Sequence, residues 1–465
     1  MSYVFKLTVS DGSVPDVDFM DTSYGGVVDY KPEPPELGAD SVTETAKVEL
    51  RPGSTPSSAI KLSRINRMFT LARARKASGK GPRVFVLFEK AITTPYRAEI
   101  YDGKVAFTDE LLKLDLINEW YQLVITWVHS PWWELNTETQ IPMSNGNGGD
   151  TLTALTVYNH DTATAGVDNW VNISSSNTIA GEFDLETPVR LEITNTYSSG
   201  LSTKLLYVGM VKSDDFASNR IPVLEGEAGT AGAGVSSGNS PLASASGGNY
   251  KATTWTGTGI TTLVTWQIAA ADLQRMHGLR FLPILRLANA LGTADFDFGW
   301  RMVYNTLTPL TPIKWFRPSA TDQFIPLNSG EIPPYLADVS GLATLTFALM
   351  CRRTTGGSNA VDVDAVYLMP CDPVHGGLRI FTPAGPGFDY TDKFIDDNNT
   401  GQTYVDGTAT GGGIQGYYRA EGAPLTIRPG TNNQFYFLQT DSNNVPDARR
   451  TLTVKAFYRP RKATI

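Results

Sequence analysis

Short runs in which apolar and polar residues alternate recur along the whole chain. The clearest runs in the first part of the sequence are Tyr3–Val9, Ala46–Leu50, Val84–Phe88, Tyr96–Ile100 and Tyr121–Val128. Similar runs continue through RLEITN and LVTWQI to TLTVKAFY near the end of the sequence. A period of two is typical of β-strands with one buried face, so the pattern predicts a mainly β protein.

One segment departs from this period and predicts a helix over residues 57–76. Its apolar residues Leu62, Ile65, Phe69 and Ala72 recur at steps of 3, 4 and 3, and Ser57 or Ser58 can cap the first turn. Residues 61–83 also contain eight basic side chains and no acidic one. This basic run is either a solvated helix face followed by a basic loop, or a surface that faces another subunit or nucleic acid. Base stacking has no support, because no aromatic residues are interleaved with the charges.

The strand predicted at 121–128 is apolar on both faces. Such a strand is buried on both sides, or buried on one side and covered by a partner chain on the other. Trp127 lies within it, and Trp132 and Trp133 follow directly after Pro131. These three tryptophans are candidate interface residues, with core packing as the alternative.

A run of small residues, Gly226–Asn249, interrupts the alternation in mid-chain. Eighteen of its 24 residues are Gly, Ala, Ser or Thr, and Glu227 carries its only charge. Alone, the run is typical of a flexible linker. Strand-like sequences border it on both sides, however, and this favours a long surface loop within one domain.

Composition limits the classes of function. A chain of 465 residues is too long for one core and predicts several domains. The net charge of −8 gives no general attraction to nucleic acid or to anionic lipid, so we expect neither partner. No run of apolar residues is long enough for a transmembrane helix, the first residues lack a signal-peptide pattern, and the two cysteines predict free thiols.

The sequence contains little catalytic chemistry. Its four histidines have no metal-ligand spacing, and neither a nucleophile elbow nor a phosphate-binding loop occurs. Two carboxylate pairs, Asp295 with Asp297 and Asp362 with Asp364, alternate on predicted strands. Each pair can be an ordinary wet face, part of a calcium site, or the acid and nucleophile of a glycosidase. We therefore predict no enzymatic activity, with a polysaccharide-degrading enzyme as the remote alternative.

Residues 223–370 resemble the jelly-roll carbohydrate-binding modules. The likeness rests on Glu225-Gly226-Glu227, on the Ser246-Gly247-Gly248-Asn249-Tyr250 turn and on Asp364 before an apolar run. The resemblance implies that Glu225, Glu227 and Asp364 hold a structural calcium ion. It also makes Tyr250, Trp300 and Trp315 candidates for stacking on a sugar, although core packing is the alternative for each.

The flanking sequences resemble the distal tail proteins and related tail-tip proteins of siphophages. The likeness rests on VTETAKVEL, a helix, RVFVLFEK and LVITWVHSPWWE near the N-terminus, and on IRPGTNNQFYFL and TVKAFYRPR near the C-terminus. The resemblance implies a tube-type β-barrel with a packed helix, and it implies that this domain assembles into a ring. A hexameric ring is the expectation and a trimeric hub the alternative, with tail-tube, hub and other tail-tip proteins as partners.

Together these features predict four regions. They are a tail-tube-like ring domain (1–134), a β-rich connecting region (135–221), a jelly roll (222–372, with 226–249 as a long surface loop) and a β-rich C-terminal domain (373–465). The predicted function is a structural component of a phage tail tip that contacts host glycans, located in the virion tail after assembly in the host cytoplasm. The alternative is a receptor-binding or adhesion protein whose main role is carbohydrate binding.

Overall fold

The computed structural model describes most of the chain. The described residues are 3–21, 25–30, 39–51, 56–90, 95–107, 121–146, 148–162, 168–178, 185–197, 202–214, 221–276, 278–304, 308–309, 311–332, 345–383, 387–406, 414–441, 443 and 445–463. Within them the protein is mainly β, as predicted, with three helices. None of these helices is long and apolar enough to cross a membrane.

The elements up to the middle of the chain are β1 (Tyr3–Val9), β2 (Val17–Asp18), β3 (Gly25–Asp29), β4 (Val42–Leu50), α1 (Ser58–Ser78), β5 (Val84–Lys90), β6 (Tyr96–Phe107), β7 (Tyr121–His129), β8 (Trp133–Leu135), β9 (Thr139–Ile141), β10 (Met143–Asn145), β11 (Gly148–Thr151), β12 (Leu155–Tyr158), β13 (Trp170–Ile173), α2 (Ser175–Thr178), β14 (Thr187–Asn195), β15 (Thr203–Lys212), β16 (Val223–Glu225), β17 (Thr230–Ala231) and β18 (Ser236–Pro241). The remaining elements are β19 (Asn249–Thr256), β20 (Thr261–Ile268), α3 (Ala270–Met276), β21 (Arg280–Leu287), β22 (Phe296–Tyr304), β23 (Thr308–Pro309), β24 (Phe324–Pro326), β25 (Gly330–Glu331), β26 (Leu345–Arg353), β27 (Ser358–Pro370), β28 (Gly376–Pro383), β29 (Lys393–Asp397), β30 (Gln402–Asp406), β31 (Ile414–Glu421), β32 (Thr426–Ile427), β33 (Asn433–Asp441), β34 (Thr451–Tyr458) and β35 (Arg461–Lys462).

The chain forms two compact units. The first contains residues 1–139, 179–187 and 459–465, and the second contains residues 140–178 and 188–458. In the first unit, an antiparallel sheet has the strand order β2-β1-β5-β6-β7-β4-β3, and β8 adds to β6. The late strand β35 returns to this unit and pairs with β8, where Arg461 lies opposite Glu134. Glu134 is buried and pairs with Arg97 at 2.9 Å and with Arg461 at 3.5 Å, so charge as well as backbone pairing holds the returning strand.

The predicted helix is confirmed as α1, and it covers one face of this sheet. Ile65, Met68 and Phe69 are at most 1% exposed and belong to the core of the first unit. Phe69 lies so close to Gly103 of β6 that any side chain at 103 would overlap the ring. The helix ends at Gly79, which adopts the left-handed conformation (φ 67°) and donates its N–H to the carbonyl of Arg75.

The basic run from 61 to 83 is divided between paired and solvated side chains. Lys61 is buried, Arg73 pairs with Asp102 at 3.1 Å, and Arg83 pairs with Glu99 at 2.6 Å. Arg67 and Lys80 are exposed. Part of the run therefore ties α1 and the following turn to β6, and the rest faces solvent.

The two faces of strand β7 differ in burial. Leu123, Ile125 and Trp127 point into the core and are at most 1% exposed. Val124 and Val128 lie on the opposite face and are only half-buried. The strand is thus fully buried on one face and partly open on the other.

The second unit has two parts that share one core. The supporting sheet, formed by β9–β15 and β28–β34, has fourteen strands, and β31 links its two halves by pairing with both β28 and β30. The central sandwich, formed by β16–β27, has a seven-stranded sheet (β18-β19-β27-β21-β24, with β16 and β25) and a five-stranded sheet (β17-β20-β26-β22-β23). Tyr207 of the supporting sheet contacts Phe324 of the central sandwich with ring centroids 5.5 Å apart, and both belong to one hydrophobic cluster.

Two sequence-based boundaries differ from the structure. The regions predicted as separate, 135–221 and 373–465, interleave in the supporting sheet, where β13 pairs with β33 and β14 with β34. The segment 226–249 was expected to be a long surface loop. It contains instead β17 and β18, at the edges of the two sheets, and β18 pairs with β19 from Ser236 to Pro241. Backbone hydrogen bonds form these edge strands, which is why side chains of low β-propensity did not reveal them.

Candidate functional site

The structure brings the three predicted carboxylates to the Ser246-Gly247-Gly248 turn. The backbone N–H of Ser246 donates to Asp364 Oδ1 at 3.0 Å, and its hydroxyl donates to Glu225 Oε1 at 2.8 Å. Glu227 lies against Gly247 so closely that a side chain at 247 would overlap its carboxylate. The three residues that the resemblance to carbohydrate-binding modules grouped are thus neighbours in the structure, and we call them the acidic cluster (Glu225, Glu227 and Asp364).

A histidine from the supporting sheet completes one side of the acidic cluster. His160 Nε2 lies 3.1 Å from Glu225 Oε1, and the His160 carbonyl oxygen lies 2.8 Å from the Ser246 hydroxyl, whose one hydrogen it shares with Glu225 Oε1. The His160 backbone is in the left-handed region (φ 67°), which is uncommon for a residue with a side chain. The contacts of His160 with the central sandwich hold it in this conformation.

A buried arginine occupies the other side of the acidic cluster. Arg286 of β21 is 2% exposed, and its Nε lies 2.7 Å from Asp364 Oδ2, which is wholly buried. Its guanidinium also donates to the carbonyl of Ser244, just before the Ser-Gly-Gly turn. Arg286 thus neutralises Asp364 from within the protein.

The charges of the acidic cluster are not fully compensated. Burial raises the pKa of Asp364 to about 6 despite the opposing effect of Arg286. Burial, together with the charges of Glu225 and Asp364, raises the pKa of Glu227 to about 7. Glu225 Oε2 and Glu227 Oε2 are buried and have no hydrogen-bond partner in the described part of the chain. Glu227 therefore takes up a proton more readily than an ordinary glutamate, because its charge is not fully compensated.

These observations test the fit of the predicted calcium ion. The unpartnered oxygens of Glu225 and Glu227 are donors of the kind that Ca²⁺ takes, whereas Asp364 already has a cationic partner in Arg286. Among the described residues, no three acidic, histidine or cysteine side chains are grouped as a metal site. Glu225 and Glu227 are the residues that would hold a cation, and the calcium ion stays a prediction.

The carboxylate pair Asp295 and Asp297 is held by arginines. Asp297 accepts from Arg317 Nε at 2.6 Å and from Arg352 Nε at 2.8 Å, and Asp295 accepts from Arg353 Nε at 2.8 Å. The hydroxyl of Thr293 lowers the pKa of Asp295, and Arg317 lowers that of Asp297. Both groups are ionised and fully engaged, an arrangement typical of a structural network rather than of a proton donor.

The three candidate sugar-stacking aromatics do not form one platform. Trp300 is 6% exposed and stacks on Phe347 inside the sandwich, so for this residue the core alternative is correct. Trp315 is half-buried on the outer face of the five-stranded sheet, where the Arg352 guanidinium lies 4.6 Å from its ring centroid. Tyr250 is half-buried on β19, in the other sheet. Only Trp315 and Tyr250 have solvent-accessible rings.

The candidate interface tryptophans are also divided. Trp127 and Trp133 are 1% exposed and pack in the core of the first unit, which corrects their interface prediction. Their side chains follow the inward face of β7 and β8. Trp132 is half-buried, with the Arg461 guanidinium 4.4 Å from its ring centroid.

A cleft in the central sandwich has residues that the sequence did not single out. One row of residues in register crosses the outer face of the five-stranded sheet from β17 through β20 and β26 to β22. Its members, in that order, are Thr230, Thr265, Ala348 and Arg301. A cavity of about 710 Å³ opens over this row. Its polar lining includes Thr230, Thr262, Thr265, Gln267, Arg301 and Thr346. Clefts of this volume are typical of small-ligand sites.

Arg301 is distinctive among the residues of this cleft. It is half-exposed, and no hydrogen bond, ion pair or ring contact of its guanidinium is formed with the described residues. Its Nε is buried without a partner. In the sequence, Arg301 follows Trp300 in an alternating strand and resembles any wet-face residue. Only the register of four strands reveals its place in the cleft.

Comparisons with known proteins found matches among solved structures alone. No family model and no curated protein matches the sequence. Among solved structures, a protein assigned as secreted from Parabacteroides distasonis ATCC 8503 is similar over 51% of this chain and 98% of its own, with 10% identity and a TM-score of 0.15. The VP2 subviral particle protein of infectious bursal disease virus covers 71% of this chain and 81% of its own, with 9% identity and a TM-score of 0.18.

Proposed function

We propose that this chain is a structural protein of a tailed-phage tail tip. It is a ring subunit of the distal-tail type that links the tail tube to hub, tip or receptor-binding proteins in the virion. The observation that carries this proposal is the first unit, an antiparallel sheet with a single long helix packed on one face. That combination is what a tail-tube-like domain requires. A hexamer is the preferred assembly, with a trimeric hub as the alternative.

The outer face of β7 offers a surface for self-association. Val124 and Val128 are half-buried there and lie in register with Lys47 and Thr43 of β4. The two valines lie on either side of Thr126, and their apolar surface gains free energy when a second copy of the chain covers it. We therefore assign part of the subunit contact to this face.

The test measures the mass of the purified full-length protein by mass photometry and its shape by electron microscopy. The expected result is a closed ring of six subunits. Val124→Glu with Val128→Glu should reduce the protein to monomers, because carboxylates cannot be buried there unpaired. Ala74→Glu, on the exposed face of α1, is the matched control and should still form rings.

The outcomes separate the proposals clearly. A wild-type protein that stays monomeric at micromolar concentration, with an intact circular dichroism spectrum, would overturn the ring assignment. Rings that form equally well from the valine double variant would remove this face from the subunit contact and leave the ring itself in place.

A second candidate function is receptor binding or adhesion through carbohydrate. The cleft beside Arg301 favours it, because the cleft combines a suitable volume with several hydroxyl groups. We infer no catalytic role, since Asp295 and Asp297 are both engaged by arginines. Loss of polysaccharide cleavage in Asp295→Asn with Asp297→Asn, relative to a cleaving wild type, would reverse that inference.

A further inference from the structure

The cleft over the five-stranded sheet is lined by a cation that has no acidic partner among the described residues. Glu225 and Asp272 also border the cavity, but Glu225 accepts from Ser246 and lies beside His160, and Asp272 pairs with Arg275. Arg301 has no such contact with the described residues. Arg301 is therefore the place on the cleft wall for a negatively charged group, although the chain as a whole is acidic.

Other arginines of the same sandwich are compensated. Arg286 faces Asp364, Arg317 and Arg352 share Asp297, and Arg353 faces Asp295. A partly buried guanidinium with no acceptor costs free energy, and Arg301 recovers it when an acceptor enters the cleft. The planar fork of arginine matches the two oxygens of a carboxylate.

The rest of the lining indicates what carries that carboxylate. Thr230, Thr265 and Arg301 lie in one row, and Gln267 and Thr346 lie in the next row of the sheet. Hydroxyl and amide groups at this spacing can exchange hydrogen bonds with the hydroxyls of a sugar ring. An acidic peptide would call for further cations, and Arg301 is the one cationic side chain of the described lining.

We propose that this cleft binds a carboxylate-bearing saccharide, with the guanidinium of Arg301 on the carboxylate of a hexuronic acid unit and the threonine hydroxyls on its ring hydroxyls. The inference deepens the glycan-contact role proposed above and rests on it, but it does not depend on ring assembly. It names Arg301 as the residue that selects acidic over neutral sugars.

The experiment is calorimetric titration of the full-length protein with two hexuronate probes, trigalacturonate and a hyaluronan tetrasaccharide. Galactotriose is the neutral counterpart, and a hexa-aspartate peptide and inorganic phosphate test other sources of negative charge. At least one hexuronate should bind about tenfold or more tightly than galactotriose, and Arg301→Gln should abolish that preference. Thr265→Val should weaken the same probe, and Lys314→Gln, which removes an exposed charge outside the cleft, should have no effect.

Several results would overturn the inference. They are failure of both hexuronates to bind at millimolar concentration, equal affinity for charged and neutral sugars, and unchanged binding by Arg301→Gln. Tighter binding of hexa-aspartate or phosphate than of the sugars would assign the cleft to another ligand. Mass photometry of the same samples reports ring assembly, so failure of the ring proposal is seen separately.

Discussion

Arg286 and Arg301 lie on facing sheets of the same sandwich and have opposite surroundings. Arg286 is 2% exposed, and its charge is matched by a wholly buried aspartate at 2.7 Å. Arg301 is half-exposed over a cavity of about 710 Å³ and has no acceptor among the described residues. Within one fold, an acidic partner distinguishes Arg286, which holds the structure together, from Arg301, for which we propose a ligand.

The largest expected effect is that of breaking the buried pair. Arg286→Met leaves Asp364 as an uncompensated buried carboxylate and should destabilise the second unit by about 3–5 kcal/mol. Denaturant unfolding followed by tryptophan fluorescence measures this. Adding Asp364→Leu to the same protein should restore much of the lost stability, because an apolar pair needs no charge compensation. A single variant as stable as wild type would contradict the structural role of the pair.

The acidic cluster beside Arg286 should make stability depend on pH. Because the pKa of Glu227 is raised to about 7 in the folded protein, folding favours its protonated form. That stabilisation is complete below the ordinary carboxyl pKa and is lost as the pH rises through about 7. Glu227→Gln, which stays neutral, should therefore melt at a higher temperature than wild type at pH 8 and near the wild-type temperature at pH 4.5. A difference that is the same at both pH values would contradict this assignment.

A bound calcium ion would make the ionised glutamates stabilise the fold at pH 8, the opposite of the effect expected without the ion. If Glu225 and Glu227 hold Ca²⁺, the ion raises the melting temperature of wild type at pH 8, and chelator lowers it again. Glu225→Gln with Glu227→Gln should not respond to either addition. Equal responses of wild type and variant would remove the site, since the ion would then act elsewhere.

A smaller effect is expected where the arginines remain in contact with water. Asp297→Asn removes the charge that Arg317 and Arg352 share, but these side chains are 49% and 42% exposed and can be rehydrated. The expected loss is about 1 kcal/mol or less in the same unfolding experiment. A loss as large as that of Arg286→Met would show that exposure does not distinguish the two networks.

The smallest effect on stability should come from Arg301→Gln. The side chain has no partner to lose, so the free energy of unfolding should change by about 0.5 kcal/mol or less in either direction. The same variant is expected to lose its preference for acidic sugars. A loss of about 2 kcal/mol would instead identify Arg301 as a structural residue and end its contrast with Arg286.

Local patterns predicted local structure well. Alternation found β1 with its observed bounds, the helical spacing found α1, and short motifs brought Glu225, Glu227 and Asp364 to one turn. The joining of β13 to β33 was not predictable, because register partners such as Asn172 and Gln434 lie far apart in the sequence and strand pairing leaves no local signal. Arg286 did leave a local signal, as a charge within the apolar part of β21, whereas the surroundings of Arg301 depend on neighbours from three other strands.

The return of β35 to the first unit has a consequence for biosynthesis. Arg461 leaves the ribosome 327 residues after its partner Glu134, when the whole second unit has already been translated. Until then β8 lacks one of its neighbours, and Glu134 has its ion pair with Arg97 but not the one with Arg461. The order of completion is thus inverted relative to the order of synthesis: the central sandwich can close first, the supporting sheet next, and the first unit last. Translation itself delays the maturation of the unit that we propose assembles into rings.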